Sequence, residues 1–233
     1  MEIDNIGAEI ERVLHARYKR ETQRRVSNIL NLDRAQFPGV GAFDIPMLRP
    51  VYDLPPIKEW IGFNYVLSDT NPEGKAVHFF VDDYQFERVW AAPERYLDRL
   101  KRYVCIATPD FSPYGDTPLV CQMFNHYRKL WVGRWFQDHG VTVIPTVRAS
   151  TDERSLEWYL DGIPEGGAVI ISSMWTHKPE AREYFYREYN TMFDKLNPCK
   201  VFLYGKRLDG LRGNIEEIET FSQRRFSKNG KRQ

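Results

Sequence analysis

Apolar positions along this chain follow two spacings, and the change from one to the other marks its elements. At the start, Ile3, Ile6, Ile10, Val13, Leu14 and Tyr18 recur at three- and four-residue steps, which predicts one amphipathic helix. Arg12, Arg17, Lys19, Arg20, Arg24 and Arg25 make its far half basic, either a solvated face or a contact surface for nucleic acid or a partner. The stretch FPGVGAFDIPMLRPVYDLPP, residues 37–56, is too rich in proline for a long helix or a central strand. Its Phe37, Phe43, Ile45, Met47, Leu48 and Val51 call for burial, so a structured extended loop is expected rather than a linker.

Beyond it, short apolar or β-branched runs predict strands at Asn64–Leu67, Val77–Val81, Tyr103–Ala107, Val141–Val147, Ala168–Ile171 and Lys200–Tyr204. Helical patterns fall between them. One opens at Pro93 with Tyr96, Leu97 and Leu100 inward. Thr117 is a good N-cap for the next, with Pro118 at the first helical position and Gly140 at its end; its predicted inner face is Leu119, Met123, Tyr127, Leu130 and Arg134. A shorter helix is expected over Arg154–Leu160. The last opens at Pro179, carries Phe185, Tyr189, Met192, Phe193 and Leu196, and stops at Asn197-Pro198.

Alternating strands and helices, with nearly continuous apolar strands, argue for an α/β domain: a largely parallel sheet with helices on both faces. A wound open sheet and an incomplete or distorted barrel both remain open. The expected organisation is an N-terminal basic helix over 1–36, one α/β domain over 37–210, and a C-terminal helix or basic tail over 211–233.

Composition narrows this little. With 233 residues the chain can bury a sizeable core, and a formal net charge of +1 gives no global attraction to nucleic acid or anionic lipid. Cys105, Cys121 and Cys199 are widely spaced, with no C-x-x-C pair, so neither a zinc ribbon nor a disulfide framework is supported. No apolar run reaches membrane-spanning length, and the polar start MEIDNIGAEIER is unlike a secretory signal, so no membrane association and a cytoplasmic location are expected. Aromatic residues reach 14 %; most are expected in the core, with a minority available for stacking on a ligand.

The runs FFVDDYQFERVW, TPDFSPYGDTP and NHYRKLWVGRWFQDHGVTVIPTV resemble the bacterial family known as domain of unknown function 4417. The resemblance extends from about Gly41 to Gly205. It implies a protein of bacteria, phages, prophages or other mobile elements. The family brings no agreed reaction, cofactor or catalytic residue, so no role is carried over.

In parallel α/β sheets ligands bind beyond the carboxyl ends of the strands, where loops and helix N-termini converge. Those ends carry Asp82, Asp83 and Tyr84; Asp110 and Ser112; Thr146 and Arg148; Ser172 and Trp175; and Lys206. Asp82, Asp83, Asp110 and Arg148 are the catalytic candidates. Tyr84, Ser112, Thr146, Ser172, Trp175 and Lys206 are the binding candidates. Asp83 and Asp110 would suit Mg²⁺ or Mn²⁺, which take one or two carboxylates plus substrate phosphates; the plainer reading of each is a helix cap or a bond to loop backbone. Arg148 follows an apolar strand directly, so it needs an anionic ligand or an internal acid.

Other signals are weaker. Asn125–Trp131 interleaves basic and aromatic residues as a single-stranded nucleic-acid platform does, but helical spacing also makes Met123, Tyr127 and Trp131 a core stripe. His126 has no second histidine or cysteine at ligand spacing. Nucleophile-elbow, P-loop and dinucleotide fingerprints are missing, and Ser172-Ser173 has no base tied to it in sequence. Three functions survive: a metal-assisted enzyme acting on nucleic acid or a phosphorylated substrate, a non-enzymatic nucleic-acid-binding protein, and an interaction factor engaging a host protein.

Overall fold

The computed structural model describes residues 29–220 and 223. The chain forms two units, residues 1–36 and 37–233. Of the first, residues 29–36 are described, mostly as turns. The expected basic helix and the basic tail from 224 onward lie outside the described residues.

In the second unit the proline-rich stretch is ordered. It forms a small antiparallel hairpin, β1 (Gly39–Val40) and β2 (Ile45–Pro46). Ile45 and Leu48 then bury into the core beside Leu130.

Two parallel sheets follow. Strands β3 (Glu59–Gly62), β4 (Lys75–His78), β5 (Cys105–Ala107) and β6 (Val143–Ile144) lie side by side in chain order. So do β7 (Val169–Ser172), β8 (Val201–Tyr204) and β9 (Ile215–Ile218). One parallel bridge, Thr146 to Ile170, joins the two. Pro145 sits at this junction and has no N–H to give, which explains why the ladder narrows there. Its carbonyl still accepts from Ile170 N–H at 3.0 Å, and Val147 N–H donates to the Ile170 carbonyl at 2.8 Å.

Parallel neighbours need crossovers, and among the described residues four helices serve three of them: α1 (Glu87–Ala91) and α2 (Glu94–Leu100) after β4, α3 (Leu119–Asp138) after β5, and α4 (Pro179–Leu196) after β7. Crossovers of one hand between strands in chain order curl a sheet. The rings of Trp60 and Phe202 stand 5.1 Å apart, and those of His78 and Tyr204 4.5 Å, although β3 and β4 are far from β8 in strand order. No pairing joins β9 to β3 among the described residues, so the curl stops short of a closed barrel.

On α4, Phe185, Tyr189, Met192 and Leu196 fall at helical spacing and pack with Val169, Ile171, Val201 and Leu203. Asn197, at a φ of 41°, ends the helix in the left-handed region, where asparagine is among the better-tolerated residues.

Several local expectations are corrected. The first strand of the sheet is Glu59–Gly62, and Asn64 lies in the 3₁₀ turn Phe63–Tyr65 that follows. Polar Lys58 and Glu59 hid Trp60-Ile61 as a strand. Thr117 does not cap α3: its hydroxyl donates back to the Tyr114 carbonyl at 2.7 Å, and the helix begins after Pro118. Arg154–Leu160 holds only the 3₁₀ turn Glu153–Glu157. Ile215–Ile218, expected within a C-terminal helix or tail, is a strand whose two central glutamates disguised it.

On α3 the expected inner face is also revised. Gln122, His126, Lys129 and Gly133, spaced as one stripe, are all buried, whereas Leu119, Met123, Tyr127 and Arg134 are only partly so. A polar stripe inside a domain must be partnered or used.

Candidate active site at the strand ends

The site begins with two threonines. Thr108 follows β5 and Thr146 follows β6, both fully buried. Thr146 N–H donates to the Thr108 hydroxyl at 2.8 Å, and its own hydroxyl donates to the Thr108 carbonyl at 2.7 Å. Two residues beyond each come Asp110 and Arg148. The Arg148 guanidinium lies 3.7 Å from Asp110 Oδ2, close enough for an ion pair but too long for a good hydrogen bond. Among the described residues Arg148 makes no side-chain hydrogen bond, and buried Asp110 Oδ1 has no partner. Both groups therefore keep unspent hydrogen-bonding capacity.

The loop carrying Asp110 is braced. Asp83, opening the 3₁₀ turn Asp83–Gln85, accepts from Ser112 N–H at 3.0 Å and from the Ser112 hydroxyl at 2.8 Å. Asn125 on α3 donates to the Ser112 carbonyl at 2.8 Å, and Arg128 donates to Asn125 at 2.7 Å while its guanidinium lies over the Phe111 ring. From the other side, Glu188 on α4 accepts from Ala149 N–H, which fixes the backbone next to Arg148.

Buried charge is concentrated here. Burial raises the Asp110 carboxyl above its ordinary range against the opposing pull of Arg148 and Lys129. Burial likewise pushes Glu188 up to about 7, with the Ala149 hydrogen bond and Arg148 opposing. It pulls the Lys129 ammonium down to about 8, against Asp110 and Glu188. Arg148 is held above its usual value because the Asp110 and Glu188 carboxylates outweigh burial. Two acids and two bases thus share one low-dielectric region, and two of them titrate near neutrality, as acid–base groups in enzymes commonly do. His126 stands apart: burial and the charge of Lys129 keep its ring neutral, and Nε2 meets the Asp161 carbonyl at 2.9 Å.

Two adjoining chambers open over this cluster. The smaller, about 340 Å³, is lined by Asp82, Asp83, Asp110, Phe80 and Met174 among others. The larger, about 640 Å³, is lined by Val147, Ile171, Tyr184, Phe185 and Glu188, and it reaches the start of α4 at Lys178 and Glu180. Ser112, Tyr114, Arg148, Ser172 and Trp175 line both.

Of the residues singled out from sequence, Asp82, Asp83, Asp110, Ser112, Arg148, Ser172 and Trp175 therefore meet in one cleft. Thr146 is enclosed in the clamp with Thr108 and cannot touch a ligand. Tyr84 is exposed outside the cleft lining, and exposed Lys206 offers its backbone carbonyl to the Ser173 hydroxyl at 2.8 Å. No three His, Cys, Asp or Glu side chains gather as a metal cage among the described residues. The expected pair is otherwise engaged: Asp83 holds Ser112, and Asp110 faces Arg148.

Sequence reading passed over Glu188 and Lys129. Both carried a signal, since Glu188 shares the apolar stripe of Phe185, Tyr189 and Met192, and Lys129 follows His126 by three residues on the inner face of α3. Tyr114 and Tyr184 were missed as well. No helix among the described residues is long and apolar enough to cross a membrane.

Comparison with known proteins adds kinship without chemistry. The family model described as Domain of unknown function (DUF4417) matches residues 37–222. The Gene 1 protein of Mycobacterium phage L5 is 36% identical over 186 residues, covering 79% of this chain and 80% of that protein. The Gene 1 protein of Mycobacterium phage D29 is 34% identical over 195 residues, covering 79% and 68%. No solved structure matches.

Proposed function

The chain belongs to the Domain of unknown function (DUF4417) family, and we propose that it is an enzyme acting on a phosphorylated substrate in the strand-end cleft. The observation that carries this reading is the Arg148–Asp110 pair. A partly buried guanidinium with free donors stands beside a buried carboxyl with a free oxygen, both facing a cleft.

A phosphate would take the Arg148 fork bidentately and satisfy it better than Asp110 does at 3.7 Å. Asp110, released from that partner and kept protonated more readily by burial, would then supply or accept a proton beside the bound anion. Glu188, poised near neutrality behind Arg148, would rebalance charge as the anion arrives. Where Mg²⁺ or Mn²⁺ accompanies the substrate phosphate, an ionised Asp110 would take the metal instead of the proton role, with phosphate oxygens completing the shell rather than a preformed protein cage.

The test is a panel of phosphate esters assayed for turnover with and without Mn²⁺, using the unaltered protein, Asp110→Asn and Arg148→Gln. Turnover abolished in both variants, with unchanged far-UV circular dichroism, is the expected result. Turnover that survives either substitution would sink the assignment.

A further inference from the structure

Resting on that reading, we infer that the substrate is a nucleotide: its phosphate lies on Arg148 and its base enters the larger chamber against Trp175. The argument comes from how the cleft is divided. Its two chambers meet at Arg148, and they differ in character. The smaller carries Asp82, Asp83 and Asp110, so it repels a second anionic group and accepts hydroxyls or a cation. The larger is walled by Val147, Ile171 and Phe185, aliphatic and aromatic surfaces suited to a flat apolar group. At about 640 Å³ it falls within the range of small-molecule sites.

Two large aromatic side chains stand at the mouth. Trp175 is 64% exposed and Tyr114 59%, and both line the two chambers, Trp175 in the turn that follows β7 and Tyr114 in the loop after β5. Leaving rings of that size in water has a cost, and neither ring is needed by the core. An aromatic plane beside a guanidinium is the arrangement that holds a base and its phosphate together, by stacking and by charge. The same chamber is also lined by Tyr184 and Glu188, whose hydroxyl and second carboxyl oxygen are polar groups within its wall. A phosphorylated sugar without a base would leave this chamber and both rings unused.

Calorimetry on the full chain separates the two levels of the claim, with adenosine, guanosine, cytidine and uridine 5′-monophosphates and ribose 5-phosphate as probes. Trp175→Ala is the informative variant, because the side chain is exposed and makes no hydrogen bond among the described residues, so its removal leaves the fold alone. At least one nucleotide should bind roughly tenfold or more tightly than ribose 5-phosphate. That advantage should disappear in Trp175→Ala while ribose 5-phosphate binding stays unchanged. Equal binding of all probes, indifferent to Trp175→Ala, overturns the base subsite and leaves phosphate binding by Arg148 standing. Absence of binding by every probe overturns both. Affinity for oligonucleotides that climbs with their length and exceeds that of every mononucleotide overturns the mononucleotide assignment in favour of a strand platform.

Discussion

Thr108 and Thr146 exchange two hydrogen bonds at the buried ends of β5 and β6, and this clamp sets the spacing of Asp110 and Arg148 two residues further on. Pro145, just before Thr146, contributes no N–H to the ladder, so the side-chain pairing takes over where backbone pairing thins out. Thr146→Val removes the hydroxyl at nearly constant volume and leaves the Thr108 carbonyl buried without its donor. A loss of about 1–3 kcal/mol is expected, read as a lower urea midpoint with unchanged slope. Thr146→Ser should restore most of it. Equal stability of the valine variant and the unaltered protein would contradict the clamp.

Gly133 sets α3 against that clamp with no room for a side chain. A Cβ there would lie 2.6 Å from the Thr108 methyl and 3.1 Å from Leu48 Cδ2. Gly133→Ala would gain up to about 1 kcal/mol of helix propensity and lose more to overpacking, so net destabilisation of about 1–2 kcal/mol is expected. Thr108→Ser, which deletes the methyl and keeps the hydroxyl, should recover part of that loss in the double variant. A stabilised Gly133→Ala in thermal unfolding would show that the helix can move away freely.

Stability should vary with pH through Glu188. Its folded value is raised from 4.5 to about 7, so its contribution is full below 4.5 and is lost as pH rises through 7. Lys129 is lowered from 10.5 to about 8, so its contribution is present above 10.5 and is lost as pH falls through 8. Together they place a trough of stability between pH 7 and 8. Glu188→Gln keeps an acceptor for Ala149 N–H and removes the titration. Its unfolding free energy should therefore stay flatter than that of the unaltered protein between pH 4.5 and 7. Parallel curves for the two proteins would rule out Glu188 as the source of the slope.

Arg148→Lys separates charge from geometry. Lysine keeps the positive charge but cannot form the planar fork, so binding of a phosphate ester should weaken by roughly tenfold or more, with little change in thermal stability. Undiminished affinity by calorimetry would mean that the anion is held by charge alone.

Local spacing was enough to reveal the α/β rhythm, most strands of the sheet, the extent of α4 with its stop at Asn197, and the row of polar residues beyond the strands. These features depend on neighbours in the chain: alternation of apolar runs, proline at a helix start, a polar residue directly after a buried one. The burial of Lys129 and Glu188 was decided elsewhere. Each sits on a helix face whose partner surface lies dozens of residues away, and only packing of α3 and α4 around the strand ends brings them to Asp110 and Arg148. The same holds for β9, whose surface glutamates hide a strand that only pairing with β8 reveals, and for Thr146, which spacing placed on a rim but the Thr108 pairing encloses. Chain-local chemistry selected which residues could serve a site. The curl of the sheet selected which of them share it, because distance and desolvation are properties of the folded chain.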